Sequence, residues 1–171
     1  MAALCHDLGH APFSHCTEFA MPSIGKLHSP YLRPNDANRR ATHEDYTIAI
    51  LGHPSLARAF EDNFPFTSRH VAGLLSRDVR LNDDFFLDGG FDHRRLLSQI
   101  ISSELDVDRL DYLVRDATYS GAKYGQVDVG WLLSNLRAYP KDGQLWLALD
   151  NRAIYAFEDF IIARHHMFLM V

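Results

Sequence analysis

Apolar residues recur at helical spacing along most of the chain, and short polar runs bearing glycine or proline interrupt them. The pattern predicts a first helix over residues 2–9. Pro12 then suits the first position of a short helix beginning at Phe13. Residues 21–41 carry Pro22, Gly25, Pro30, Pro34 and Asn35 and read as a loop, long enough to be functional or mobile. Thr42 with Asp45 three residues on reads as a capping box that opens a helix through Leu51. Pro54 starts another helix, to about residue 62, and "TSRHVAGLLSR" is a further one. "DDFFLDGGFD" reads as loop. Residues 94–104 and 107–117 give two helices, or one with a bend, and "TYSGAKYGQ" is a glycine-broken loop. Asp128 caps a short helix through Leu136. "LRAYPKDGQLWLAL" alternates around Asp142-Gly143, the pattern of a β-hairpin. Asn151 caps a last helix. The expected fold is mainly α, a helical bundle with one small β-hairpin.

Length and composition narrow this picture. A chain of 171 residues suits one domain over residues 1–171, and 47% apolar with 23% charged residues is ordinary for a soluble globular protein. A net charge of −5 argues against a broad basic surface for nucleic acid. An anionic ligand would therefore need a local arginine cluster or a metal. Cys5 and Cys16 are the only cysteines, which points to a reduced, cytoplasmic protein. No run approaches the roughly 18 apolar residues of a membrane span, and the start has no basic signal-peptide region. The chain opens inside an apolar helical pattern and closes on "HHMFLMV" without a stop signal, which reads as a domain truncated at both ends.

Two stretches carry the chemistry. "HDLGHAPFSH", His6 to His15, holds three of the ten histidines and an aspartate. A His nitrogen and a carboxylate oxygen, at His6 and Asp7, suit a divalent transition metal. His10 follows Gly9 and need not continue the helix, and His15 points back from the next short one. Imidazoles with an unperturbed pKa of about 6.5 suit phosphate contact and proton transfer. A lone His-Asp pair is commonplace, and a single histidine is more often a satisfied core residue. The density of this decapeptide is what weighs against that explanation.

The second stretch is "DVDRLDYLVRD", Asp106 to Asp116. On a helix, Asp108, Arg109, Tyr112 and Asp116 share one polar face, while Leu110, Leu113, Val114 and Ala117 form the buried side. Such a face offers a metal ligand, a fork for phosphate and an acceptor for a sugar hydroxyl. An ordinary solvated surface fits it equally well, and Asp111 with Arg115 at i+4 reads as a plain surface ion pair.

Taken together, "AALCHDLGHAPFSH", "THED", "DVDRLDYLVRD" and "ARHHMFLMV" resemble the HD-domain deoxynucleotide triphosphohydrolases, a family that includes the bacterial dGTPase-like enzymes. The matches span nearly the whole chain in the family's order. The resemblance implies an HD-domain helical bundle that hydrolyses dNTPs to deoxynucleoside and inorganic triphosphate. It implies a divalent metal (Mn, Fe, Mg or Zn) on His6, Asp7 and Asp108. The family's fourth ligand, a histidine on an upstream helix, has no counterpart here, which puts the activity of this piece by itself in question. His10, His15 and His43 match the catalytic and phosphate-contacting histidines, and Glu18 the acid that supports one of them. Arg109 and Arg164 match phosphate contacts, and Tyr112 and Asp116 the residues near the sugar. A homo-oligomer is also implied.

Other residues fit less well. His165 and His166 follow Arg164, and His28, His53, His70 and His93 read as surface. "FPF" at 64–66 and "DFFLDGGF" at 85–91 are local core or a subunit interface, and Trp131 and Trp146 are packing residues. Two rival functions remain at this level. One is an HD phosphohydrolase of other specificity, acting on a nucleotide or an alarmone. The other is a non-catalytic nucleotide-binding regulatory module.

Overall fold

The capping box at Thr42 forms as read, and it opens the helix on which the candidate site rests. The computed structural model describes residues 1–170, so Val171, the end of the closing apolar run, lies outside the described residues. The chain divides into two compact units, Met1–Phe85 and the residues from Phe86 onward.

In the first unit, α1 (Ala2–Cys5) leads through a turn into a 3-10 helix at Ser14–Ala20. Then come α2 (His43–Leu51), α3 (Pro54–Asn63) and α4 (Ser68–Leu75). Helix α4 packs on α1, α2 and α3 around a core that includes Ile48, Leu51, Phe60 and Ala72. The first helix is shorter than its apolar pattern suggests. After Cys5 the chain tightens into i+3 turns, Leu8 N–H to Cys5 O (3.2 Å) and His10 N–H to Asp7 O (3.0 Å). The reason is tertiary: Gly9 N–H donates to Thr47 Oγ1 on α2 at 2.9 Å, and Thr47 Oγ1 donates to His6 O at 2.8 Å.

The loop before α2 is anchored. Ser23 bridges Arg40, Ile24 N–H donates to Arg39 O at 2.9 Å, and the Ile24 side chain is buried. Arg39 then grips Asp45 with two bonds of 2.7 and 2.8 Å. His70 departs from its surface assignment. It is buried, closes the capping box of α4, donates from Nε2 to Asp83 (2.9 Å) and stacks on Phe85 at 4.0 Å. Phe64 and Phe66 pack with the buried Phe60 at the edge of this unit's core, with Phe64 still 39% exposed.

The second unit holds α5 (Arg94–Ile101), α6 (Val107–Ser120), α7 (Val129–Ser134), the strands β3 (Leu136–Lys141) and β4 (Gln144–Leu149), and α8 (Ile154–Met170). The hairpin at Asp142-Gly143 forms, with φ of 52° and 71° at the two turn residues, as a primed turn requires. A second, very short hairpin joins it where loop was expected. Strands β1 (Leu87–Asp88) and β2 (Phe91–Asp92) turn at Gly89-Gly90, both with positive φ, and the sheet order is β1-β2-β4-β3. The fold is thus mainly α with a four-stranded sheet rather than one lone hairpin. The core of this unit gathers Leu105, Leu110, Leu113, Leu132, Phe160 and Met167.

Three further details differ from the sequence reading. Asp150, one residue before Asn151, caps the entry to α8 by accepting from Arg152 N–H at 3.1 Å. Val114 is 40% exposed, off the buried side of α6. Trp131 is 45% exposed and donates to Arg152 O at 3.4 Å instead of filling core. Among the described residues no helix is long and apolar enough to cross a membrane.

Candidate active site

In the first unit three imidazoles cluster, and two of them share one carboxylate. Helix α2 begins at His43, and Gly9 lies so close to it that a Cβ would stand 2.0 Å from His43 O. Only glycine brings the 6–10 segment that near. Pro12 precedes the next turn rather than starting a helix: Phe13 and Ser14 are both left-handed, with φ of 68° and 52°. That conformation costs roughly 1–2 kcal/mol per residue for side chains other than glycine. It reverses the chain into the 3-10 helix and returns His15 to His10. The ring centroids are 4.8 Å apart for His10 and His15, 4.9 Å for His15 and His43, and 3.9 Å for the stacked His10 and His43.

Glu18 ties the cluster together. Its Oε1 accepts from His15 Nδ1–H at 3.2 Å and from His43 Nδ1–H, and lies 3.4 Å from His43 N–H. The contacts from His43 and then His15 outweigh desolvation and pull the Glu18 carboxyl down to about 2. An ionised carboxylate only accepts, so both imidazoles donate to it from Nδ1, and Nε2 is the nitrogen left for other partners. Burial, and then proximity to His43, lowers the pKa of His10. Beside His10 a cavity of about 460 Å³ opens between Leu8, Thr17, Tyr46 and Ile50.

The His-Asp pair adjoins this cluster. His6 Nδ1–H donates to Ala3 O at 2.7 Å, which leaves its Nε2 facing Asp7 Oδ1 at 3.3 Å. The same Oδ1 lies 3.5 Å from His10 Nε2. An imidazole oriented by a carbonyl on one nitrogen, with a carboxylate beside the other, is a donor set that a divalent metal accepts. Among the described residues His10, His15, Glu18 and His43 also form a group with ligand atoms within 4.8 Å of one another. The sequence assigned the metal to His6, Asp7 and Asp108, whereas the cluster the structure gathers within reach of one cation is His10, His15, Glu18 and His43.

The second unit places the other named residues on α6 and α8. Arg109 donates from Nη1 to Asp106 Oδ2 and to Ser103 O. Asp106 is the residue the sequence reading passed over. Its buried carboxylate caps α6, accepting from Arg109 N–H at 2.9 Å and Ser103 N–H at 3.0 Å, while it holds the guanidinium. The signal was present, since an aspartate directly before an apolar-periodic run is a helix cap. Asp108 and Asp116 are exposed on α6, and Tyr112 packs partly against the core. Asp111 and Arg115 do form the surface ion pair. Arg164 on α8 donates to Glu104 at 2.8 Å, and Glu104 is 75% exposed. His165 and His166 are exposed.

No family model matches the chain. A Bacillus subtilis (strain 168) protein named uncharacterized protein YwfO is 30% identical over 171 residues, covering 99% of this chain and 31% of that protein. Human deoxynucleoside triphosphate triphosphohydrolase SAMHD1 is 24% identical over 182 residues, covering 98% of this chain and 27% of its own length. Its Dictyostelium discoideum homolog is 28% identical over 121 residues, or 71% of this chain and 20% of that protein. The chain spans about a third or less of each of these relatives. They are distant, and they include proteins named as dNTP hydrolases.

Proposed function

We propose that this chain carries the chemistry of a metal-dependent HD-domain deoxynucleoside triphosphate hydrolase, releasing deoxynucleoside and inorganic triphosphate. The observation that carries this reading is the junction, through Asp7 and His10, of a His-Asp pair with a cluster of three imidazoles, two of them bonded to Glu18. The names of two of the distant relatives support the choice of substrate.

His6 and Asp7 would hold a divalent ion, with Asp108 of the second unit assigned as a further ligand by the resemblance alone. Such an ion supplies polarisation of the phosphoryl group and activation of water. The remaining work falls to side chains. His10 would offer an N–H to the charge that grows on the α-phosphate. His15 is exposed and oriented by Glu18, which suits it to give a proton to the departing 5′ oxygen, with His43 sharing the same carboxylate. Arg109, stiffened by Asp106, and Arg164 would meet the phosphates. An exposed pair like Arg164 with Glu104 contributes only about 0–1 kcal/mol, so a phosphate can take the guanidinium from the carboxylate. Tyr112 and Asp116 would face the sugar. A homo-oligomeric enzyme belongs to the same reading.

The test is product analysis with dGTP and Mn²⁺ or Mg²⁺ by phosphorus NMR or ion chromatography. Intact tripolyphosphate with deoxyguanosine is the expected result. Pyrophosphate or orthophosphate as the first product would overturn it in favour of another phosphohydrolase chemistry.

A further inference from the structure

We propose that the His10, His15 and His43 cluster is itself a transition-metal site, separate from the ion assigned to His6 and Asp7, and selective for a zinc-like cation over magnesium. The argument starts from Glu18. Because its Oε1 accepts from both Nδ1 atoms, the nitrogen of His15 and His43 left for a metal is Nε2, which gives up any proton on binding. This is the arrangement in which a carboxylate orients an imidazole for a metal and raises its basicity. His10 brings a third nitrogen, with its ring centroid within 5 Å of both others.

The distances suit capture with a small adjustment. One ligand atom from each of His10, His15, His43 and Glu18 lies within 4.8 Å of the other three. Metal–nitrogen bonds of about 2.0–2.1 Å in a tetrahedron put ligand atoms roughly 3.3 Å apart. The imidazoles must therefore draw closer around the ion. His15 is free to swing, since its side chain is 70% exposed, and His10 tilts out of its stack on His43. Three imidazoles leave a fourth position for water or an anion, the open coordination of a reactive zinc centre. Nitrogen donors suit zinc and its transition-metal neighbours, whereas magnesium prefers oxygen and gives up its water reluctantly. An ion held here occupies the lone pairs that proton transfer would use, so on the hydrolase reading zinc acts as a brake.

The experiment measures binding, not turnover. Zn²⁺ is titrated calorimetrically into the full chain carrying His6→Ala and Asp7→Ala, and the Co²⁺ complex is read by its visible spectrum. One ion per chain is expected, with an intense tetrahedral Co²⁺ band and no competition from Mg²⁺. His15→Ala should weaken Zn²⁺ binding at least tenfold, and Glu18→Gln by roughly 10–100-fold. His15 is mostly exposed, so its removal leaves the fold intact by circular dichroism. If the double variant does not fold, Asp7→Asn alone replaces it. Absence of Zn²⁺ uptake by the folded variant, or unchanged uptake after His15→Ala, overturns the proposal. Failure of the hydrolase reading would show instead in the reaction products and would leave these titrations unaffected.

Discussion

Gly9→Ala tests whether the approach of the His-Asp segment to α2 builds the site. The added Cβ would meet His43 O at 2.0 Å, Thr47 N at 2.4 Å and Tyr46 Cβ at 2.7 Å. Two of these contacts are backbone atoms of α2, which cannot rotate away. The 6–10 segment must lift off the helix, and lifting it breaks the Gly9 N–H to Thr47 Oγ1 bond and the Thr47 Oγ1 to His6 O bond. Overpacking contributes about 1–3 kcal/mol, and buried polar groups left unmet add about 1–3 kcal/mol. Loss of chain entropy in the unfolded state returns only about 0.4–1 kcal/mol. The net destabilisation is therefore about 1–6 kcal/mol. The same shift parts His10 from His43, so turnover should fall further than the loss of folded protein explains. Urea unfolding followed by circular dichroism, with dNTP hydrolysis assayed well below the midpoint, measures both effects. A variant within about 0.5 kcal/mol of the parent that retains its activity would refute the close-approach argument.

Gly130→Ala is the control: it sits in α7, where a Cβ meets only Asp128 Oδ1 at 3.6 Å, so it should stabilise by about 0.5–1 kcal/mol in the same unfolding assay. Asp45 is pulled below its ordinary 3.8: burial opposes the shift, but Arg39 and Thr42 outweigh it. Its contribution to stability is therefore present above 3.8 and lost as the pH falls through the lowered value, and Asp45→Asn should flatten that part of an acid-unfolding curve. His15→Ala, assayed in zinc-free Mn²⁺ buffer, should slow turnover by roughly 10²–10⁴ while Mn²⁺ content is unchanged. Unchanged turnover would remove His15 from the chemistry.

Local chemistry was legible in the sequence wherever one segment holds all the parts. The Thr42 box, the proline start at Pro54, the Asp142-Gly143 turn and the Asp111–Arg115 pair each involve residues a few positions apart, and all four formed. The short β1–β2 hairpin was missed because two residues per strand are too few to show alternation, although Gly89-Gly90 is a turn signal. The density of histidine in residues 6–15 announced a site in the same way, since it needs no partner to be noticed. Glu18 and His43 entered only by resemblance, because nothing in the spacing of residues 15, 18 and 43 says that they meet.

What the sequence determined by itself is thus most of the helices, the caps at Thr42 and Asp128, the Asp142-Gly143 hairpin, and the residue types available for metal and proton chemistry. These follow from backbone propensities and side-chain reach within a turn or two. Only the tertiary structure decided that Gly9 must be glycine, that His70 is buried on Asp83, and that one oxygen of Glu18 receives two histidines. The reason is physical. Gly9 lies 38 residues from Thr47 and Glu18 lies 25 from His43, and contacts at such separations are fixed by how helices pack, which no local pattern encodes.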